Sequence, residues 1–132
     1  MLKFDYELVE GREIRRVVGT GRQIMNDSSV NYERVAFELE GQCFLIHTNE
    51  DTDELEIALA ESGSLEKEQF LDIPELAECV GKELGWCWEG RNYRGYFDFF
   101  AISIRGPIPD YCFLGIASSV EIGKIASNSA KK

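Results

Sequence analysis

Residues 84–117 read L-G-W-C-W-E-G-R-N-Y-R-G-Y-F-D-F-F-A-I-S-I-R-G-P-I-P-D-Y-C-F-L-G-I-A, and no other stretch limits the fold as tightly. Both tryptophans fall within it, together with most of the aromatic residues. Aromatic and β-branched side chains suit a pleated, half-buried surface. Gly, Asn and Pro supply turn geometry at 90–95 and 106–110. The pattern predicts three consecutive strands at 84–88, 96–104 and 111–117, forming the hydrophobic centre of a sheet.

The cleanest alternation lies upstream, in residues 32–60. Val35, Phe37 and Leu39 alternate with Ala36, Glu38 and Glu40, so one face is apolar and the other largely polar. Glu40 and Gly41 turn the chain, 43–48 return, and 49–54 form a second turn. Leu55, Ile57 and Leu59 then alternate with Glu56, Ala58 and Ala60. This predicts a three-stranded antiparallel meander with its acidic face in water.

The flanking segments are less regular. Segments 3–9 and 13–18 enclose Glu10, Gly11 and Arg12 and read as a hairpin or two short strands, although 13–18 also admits a short helix. Gly19 and Gly21 do not make a dinucleotide-binding fingerprint, because Ile24 stands at the third glycine position and no helical pattern follows. Residues 23–31 read as a polar loop and 61–69 as a polar connection. Asp72, Ile73, Pro74 and Glu75 have the form of a helix start, with Asp72 as cap, Pro74 in the first turn and Glu75 at the capping-box position. Gly81 would end that helix, leaving Ile73, Leu76 and Val80 on one face. Residues 118–125 read as a last strand or a short helix, and 127–132 as a frayed polar tail. The expected fold is α+β: a single domain over 1–126, a mainly antiparallel curved sheet with one short helix packed on it.

The chain of 132 residues can bury one core without staples. No apolar run reaches the roughly 18 residues of a membrane helix, and the first residues lack the apolar core of a signal peptide. Cytoplasmic location and no membrane partner are therefore expected. Cys43, Cys79, Cys87 and Cys112 are scattered without a C-x-x-C pair, as small core residues would be, and the lone His47 has no partner at zinc spacing. The net charge of −10 is concentrated between residues 33 and 83, which hold 15 acidic and three basic residues. Such a field disfavours nucleic acid and favours solubility and basic protein partners.

Two clusters carry candidate chemistry. The turn from Asn49 to Glu54 places Asp51 and Asp53 two apart, weak candidates for a divalent cation. An EF-hand loop beginning at Asp51 fails, because Leu55, Glu56 and Ser62 replace a ligand, the invariant glycine and the bidentate glutamate. The competing reading is an Asx turn that caps its own backbone N–H groups. The second cluster comprises Trp86, Trp88, Arg91, Asn92, Tyr93, Arg94, Tyr96 and Asp98, which suit a ligand groove or a contact hot spot, or simply packing. No catalytic residue is assigned: Ser118 and Ser119 lie outside a G-x-S-x-G elbow, and Cys87 would need His47 from another strand as its base. No cofactor is expected.

The segments N-E-D-T-D-E-L at 49–55 and W-x-W-x-x-x-N-x-x-G-Y-x-D at 86–98 together resemble a small bacterial domain family of uncharacterised function. The likeness spans about residues 35–122 and implies no reaction, cofactor or catalytic residue. In size and charge the chain is also similar to bacterial immunity proteins, which neutralise a toxin by covering its basic active surface. The expected function is a non-enzymatic acidic interaction module, immunity- or antitoxin-like. It would present Glu38, Glu40, Glu50, Asp51, Asp53, Glu54 and Glu56, with Trp88, Arg91, Asn92 and Tyr93, to a basic protein partner. The alternative is a small-molecule- or divalent-metal-binding enzyme using the Asp51/Asp53 turn and the aromatic groove at 86–98. A free strand edge leaves a homodimer open.

Overall fold

The period-two alternation is realised as strands in the computed structural model, which describes residues 1–65 and 69–125. In chain order they are β1 (Arg16–Thr20), β2 (Gln23–Ile24), β3 (Val30–Tyr32), β4 (Arg34–Glu38), β5 (Gln42–Thr48), β6 (Leu55–Glu61), β7 (Leu71–Asp72), β8 (Leu84–Arg91), β9 (Phe97–Ile104), β10 (Tyr111–Ile116) and β11 (Ser119–Lys124). Every pairing between these strands is antiparallel.

The meander and the aromatic strands both form where expected, but in two sheets rather than one curved sheet. The first has the order β6-β5-β4-β1-β7, the second β2-β3-β11-β10-β9-β8. The physical reason is burial. Each set of strands is apolar on one face, and each face needs a cover that the other supplies. Phe37 on β4 stacks on Phe44 of β5 with ring centres 4.9 Å apart, and meets Phe113 of β10 edge-on at 5.9 Å. All three rings are fully buried. A second, small cluster of Val18, Ala36 and Phe70 covers part of the outer face of the first sheet.

The expected helix after Asp72 is corrected. Residues Pro74–Cys79 form 3₁₀ turns interrupted at Leu76, whose φ of −116° is not helical, and the described residues contain no α-helix. Asp72 does not cap these turns, because it belongs to β7, opposite Val18, and its carboxylate accepts from the Arg16 guanidinium at 2.8 Å. The Glu75 carboxylate accepts from the Tyr32 hydroxyl at 2.9 Å and from the Arg22 guanidinium. Tertiary partners outcompete the local cap.

The N-terminal hairpin is not formed either. Leu2 bridges Ile57 on the edge of β6, Tyr6–Leu8 is a 3₁₀ turn, and Glu13 bridges Glu83. Residues 118–125 resolve as strand rather than helix, since β11 pairs with both β10 and β3. Gly19 is part of β1, and Gly21 (φ +67°) turns the chain toward the second sheet beneath the Glu33 side chain. The tail expected at 127–132 lies outside the described residues.

The β10–β11 turn is unusual. Both of its loop residues, Ala117 (φ +48°) and Ser118 (φ +65°), sit in the left-handed region that favours Gly or Asn. An external clamp offsets that cost: the Asp53 carboxylate accepts from the Ser118 backbone N–H at 3.0 Å and from its hydroxyl at 3.2 Å. The β5–β6 turn of one sheet thereby holds the last hairpin of the other.

Candidate functional site

Strand register places the polar face of the meander. Arg34 on β4 lies opposite His47 on β5, and His47 lies opposite Glu56 on β6. Their neighbours Val35, Ile46 and Ile57 are fully buried between the sheets, so alternation turns this row outward. At the end of the row the β5–β6 turn and Ser118 close one side of an open groove of about 650 Å³, to which Glu33, Glu50 and Asp51 contribute.

The turn is built by Asn49. Its side-chain oxygen accepts the backbone N–H groups of Asp51 (2.8 Å) and Thr52 (3.2 Å), the Asx turn anticipated from composition. Its amide donates to Glu56 at 3.0 Å, the main reason the Glu56 carboxyl titrates below the usual carboxylate range. The Glu56 carboxylate also lies 3.9 Å from His47 Nε2. Arg34 is drawn toward the Phe70 ring, 5.0 Å from its centre. The carboxylates of Glu33, Glu50 and Asp51 have no hydrogen bond or ion pair among the described residues.

The other acidic candidates are distributed differently. Asp53, at φ +60°, points to Ser118 and not toward Asp51. Glu54 accepts from the Phe97 backbone N–H at 2.8 Å, tying the acidic turn to the start of β9. Glu38 and Glu40 sit at the far end of the meander, 3.7 Å from Arg16 and from Arg15 respectively. Among the described residues no group of three or more His, Cys, Asp or Glu side chains is arranged to hold a metal ion.

The Glu54 contact has a measurable effect. Donation from Phe97 N–H, the largest cause, holds the Glu54 carboxyl below its ordinary value of 4.5. A group whose pKa is depressed on folding adds stability above its unfolded value and loses it as the pH falls through the folded value. Unfolding free energy should therefore decline below about pH 4.5, and Glu54→Gln should flatten that part of the profile. Denaturant melts at stepped pH check this, and an unchanged slope in Glu54→Gln would refute it.

The aromatic cluster lies on the second sheet. Trp86 and Trp88 share the outer face of β8 with ring centres 6.4 Å apart, and Trp86 is 54% exposed. Tyr93 at the β8–β9 tip is 94% exposed beside Arg94. Asn92 shapes that tip, accepting from Arg94 N and Tyr96 N and donating to Asp98. Arg91 donates to the Gly95 carbonyl. The structure thus gathers Glu50, Asp51 and Glu56, and separates them from Glu38 and Glu40 and from Trp88, Arg91, Asn92 and Tyr93. Glu33, Arg34 and His47 were not anticipated as site residues. Alternation could have placed Arg34, His47 and Glu56 on one face, but not Glu33 or Ser118 beside them.

The cysteines remain small buried or half-buried side chains, all free. Cys87 packs against the core while His47 faces outward on the other sheet, so the two form no dyad. Burial pushes the Cys87 thiol up to about 11, which removes thiolate at neutral pH.

Fold and groove together define an antiparallel two-sheet protein with an open, carboxylate-rich groove at one end of its meander. None of the helices among the described residues is long and apolar enough to cross a membrane. The chain belongs to a family of unknown function, DUF6334, whose family model matches residues 1–129. No curated protein and no solved structure gives a significant match.

Proposed function

We propose that this protein is a non-enzymatic interaction module that receives basic side chains of a protein partner in the groove beside the β5–β6 turn. The observation that supports this is the convergence of Glu33, Glu50, Asp51 and Glu56 on one open groove, where the carboxylates outnumber the lining cation Arg34 and where Glu33, Glu50 and Asp51 have no ion pair among the described residues. Like charges gathered on a surface repel one another, and a basic partner relieves that repulsion while the field steers its approach. Asn49 fixes the turn through its own side chain, so the carboxylates are held in place before a partner arrives. Covering the basic surface of a toxin, as an immunity or antitoxin protein does, is the concrete form of this reading.

The test is capture of the partner at low and high salt by the parent chain and by charge-reversed variants. Glu50→Lys/Asp51→Lys should lose the partner, by a factor of about 100 or more in affinity, as removal of close interfacial charge pairs does. Glu40→Lys, an exposed change at the far end of the meander, should bind as the parent does. Binding that is insensitive to salt, or that survives Glu50→Lys/Asp51→Lys, would overturn the proposal.

A further inference from the structure

A second charged site lies at the other end of β11. Ser118, beside the groove, precedes that strand, and its last residue, Lys124, borders a pocket of about 220 Å³, smaller and more enclosed than the groove. Six residues of extended chain place the two sites roughly 20 Å apart. Lys82, Arg105 and Lys124 surround the pocket, with Glu78, Asp110 and Tyr111 completing its polar wall.

The sign of the charge is the anomaly. The chain carries a net −10, yet three cations meet two carboxylates here. Both carboxylates are already engaged. Glu78 accepts from Lys124 Nζ at 3.2 Å and from the Tyr111 hydroxyl. Asp110 accepts the Ile104 backbone N–H at 2.6 Å. The side chains of Lys82 and Arg105 have no ion pair or hydrogen bond among the described residues. Arg105 also occupies a left-handed backbone position (φ +71°) that glycine would fill at lower cost, so its side chain stands at the pocket in spite of the local geometry.

We infer that this pocket binds a small oxyanion, a phosphate or carboxylate group on a molecule of metabolite size, with Lys82 and Arg105 as its principal cationic contacts. Arg offers a planar fork and Lys a compact charge, and together they match the oxygens of either group. The site is independent of the groove: it has the opposite charge and shares no residue with it.

Amide NMR titration of the whole chain at low ionic strength tests this, with inorganic phosphate in one arm, malonate in a second and chloride as control. The expected result is saturable shifts in phosphate or malonate confined to the surroundings of Lys82, Arg105, Tyr111 and Lys124. The arm that saturates identifies the group. Lys82→Gln and Arg105→Asn should each weaken binding about tenfold, the loss of one charge-assisted hydrogen bond. Asn tolerates the left-handed backbone, and unchanged thermal melting separates lost binding from lost folding. If Arg105→Asn unfolds, Lys82→Gln alone decides. The proposal is overturned if neither anion saturates, if chloride moves the same amides equally, or if Lys82→Gln binds as the parent does.

Discussion

Phe37→Ala should lower the unfolding free energy by about 3–5 kcal/mol, the usual cost of emptying a fully buried aromatic site. Phe37 touches both sheets, stacked on Phe44 within its own and edge-on to Phe113 in the other. Removing its ring forfeits apolar burial, both aromatic contacts and the close packing of the two sheets. A domain of this size has roughly 5–15 kcal/mol of stability in all, so the variant should stand near the threshold of folding. Urea unfolding reads the effect as a fall in midpoint at unchanged slope. Phe37→Leu, which keeps most of the volume, should lose much less. A loss under about 1 kcal/mol for the alanine variant would mean that the sheets are not interlocked at this ring.

Gly115→Ala is the second large effect, and it links stability to the groove. A Cβ on Gly115 would lie 2.7 Å from the Asp53 backbone oxygen and 3.4 Å from Leu55. The first contact is with backbone, so relief requires the β5–β6 turn to move. That turn holds Asp51 and Glu50 at the groove and supplies the carboxylate that grips Ser118. Overpacking of this kind costs about 1–3 kcal/mol, and the displaced turn should weaken partner capture as well. Gly123→Ala is the comparison, because its Cβ would meet only the Cys112 sulfur, at 2.9 Å. Thermal melting and salt-dependent capture together check the pair. A Gly115→Ala protein as stable and as competent as the parent would show that the turn is not seated on β10.

Much of the fold was legible in particular residues. Val35, Phe37 and Leu39 against Glu38 and Glu40 announced β4, and the aromatic run from Leu84 announced β8 to β10, because alternation is a local signal that burial enforces. The division into two sheets was not legible. Whether two apolar faces pair edge to edge or face to face depends on contacts such as Phe37 with Phe113, far apart in the chain. The helix start at Asp72 misled for a related reason: Arg16 and Val18, more than 50 residues upstream, claimed Asp72 for a strand edge. At the candidate site the Asx turn of Asn49 was readable from its residues. The inward use of Asp53 and Glu54 was not, since Ser118 and the Phe97 N–H reach them only in the folded chain. The confluence of Glu33 with Asp51 is non-local in the same way.

The strand order of the second sheet also governs when the protein can fold. β3 lies between β2 and β11, so Tyr32 waits for Val120 and Asn31 for Ser119, 88 residues later. During synthesis β4, β5 and β6 can pair as each emerges, while the sheet that covers their apolar face still lacks its central strand. Phe37 therefore lacks its contact with Phe113 until β10 has been made, whereas Phe44 can already pack against Phe4 and Tyr6. Contacts this distant slow the search for the native state and lengthen the interval in which apolar strands can meet other chains.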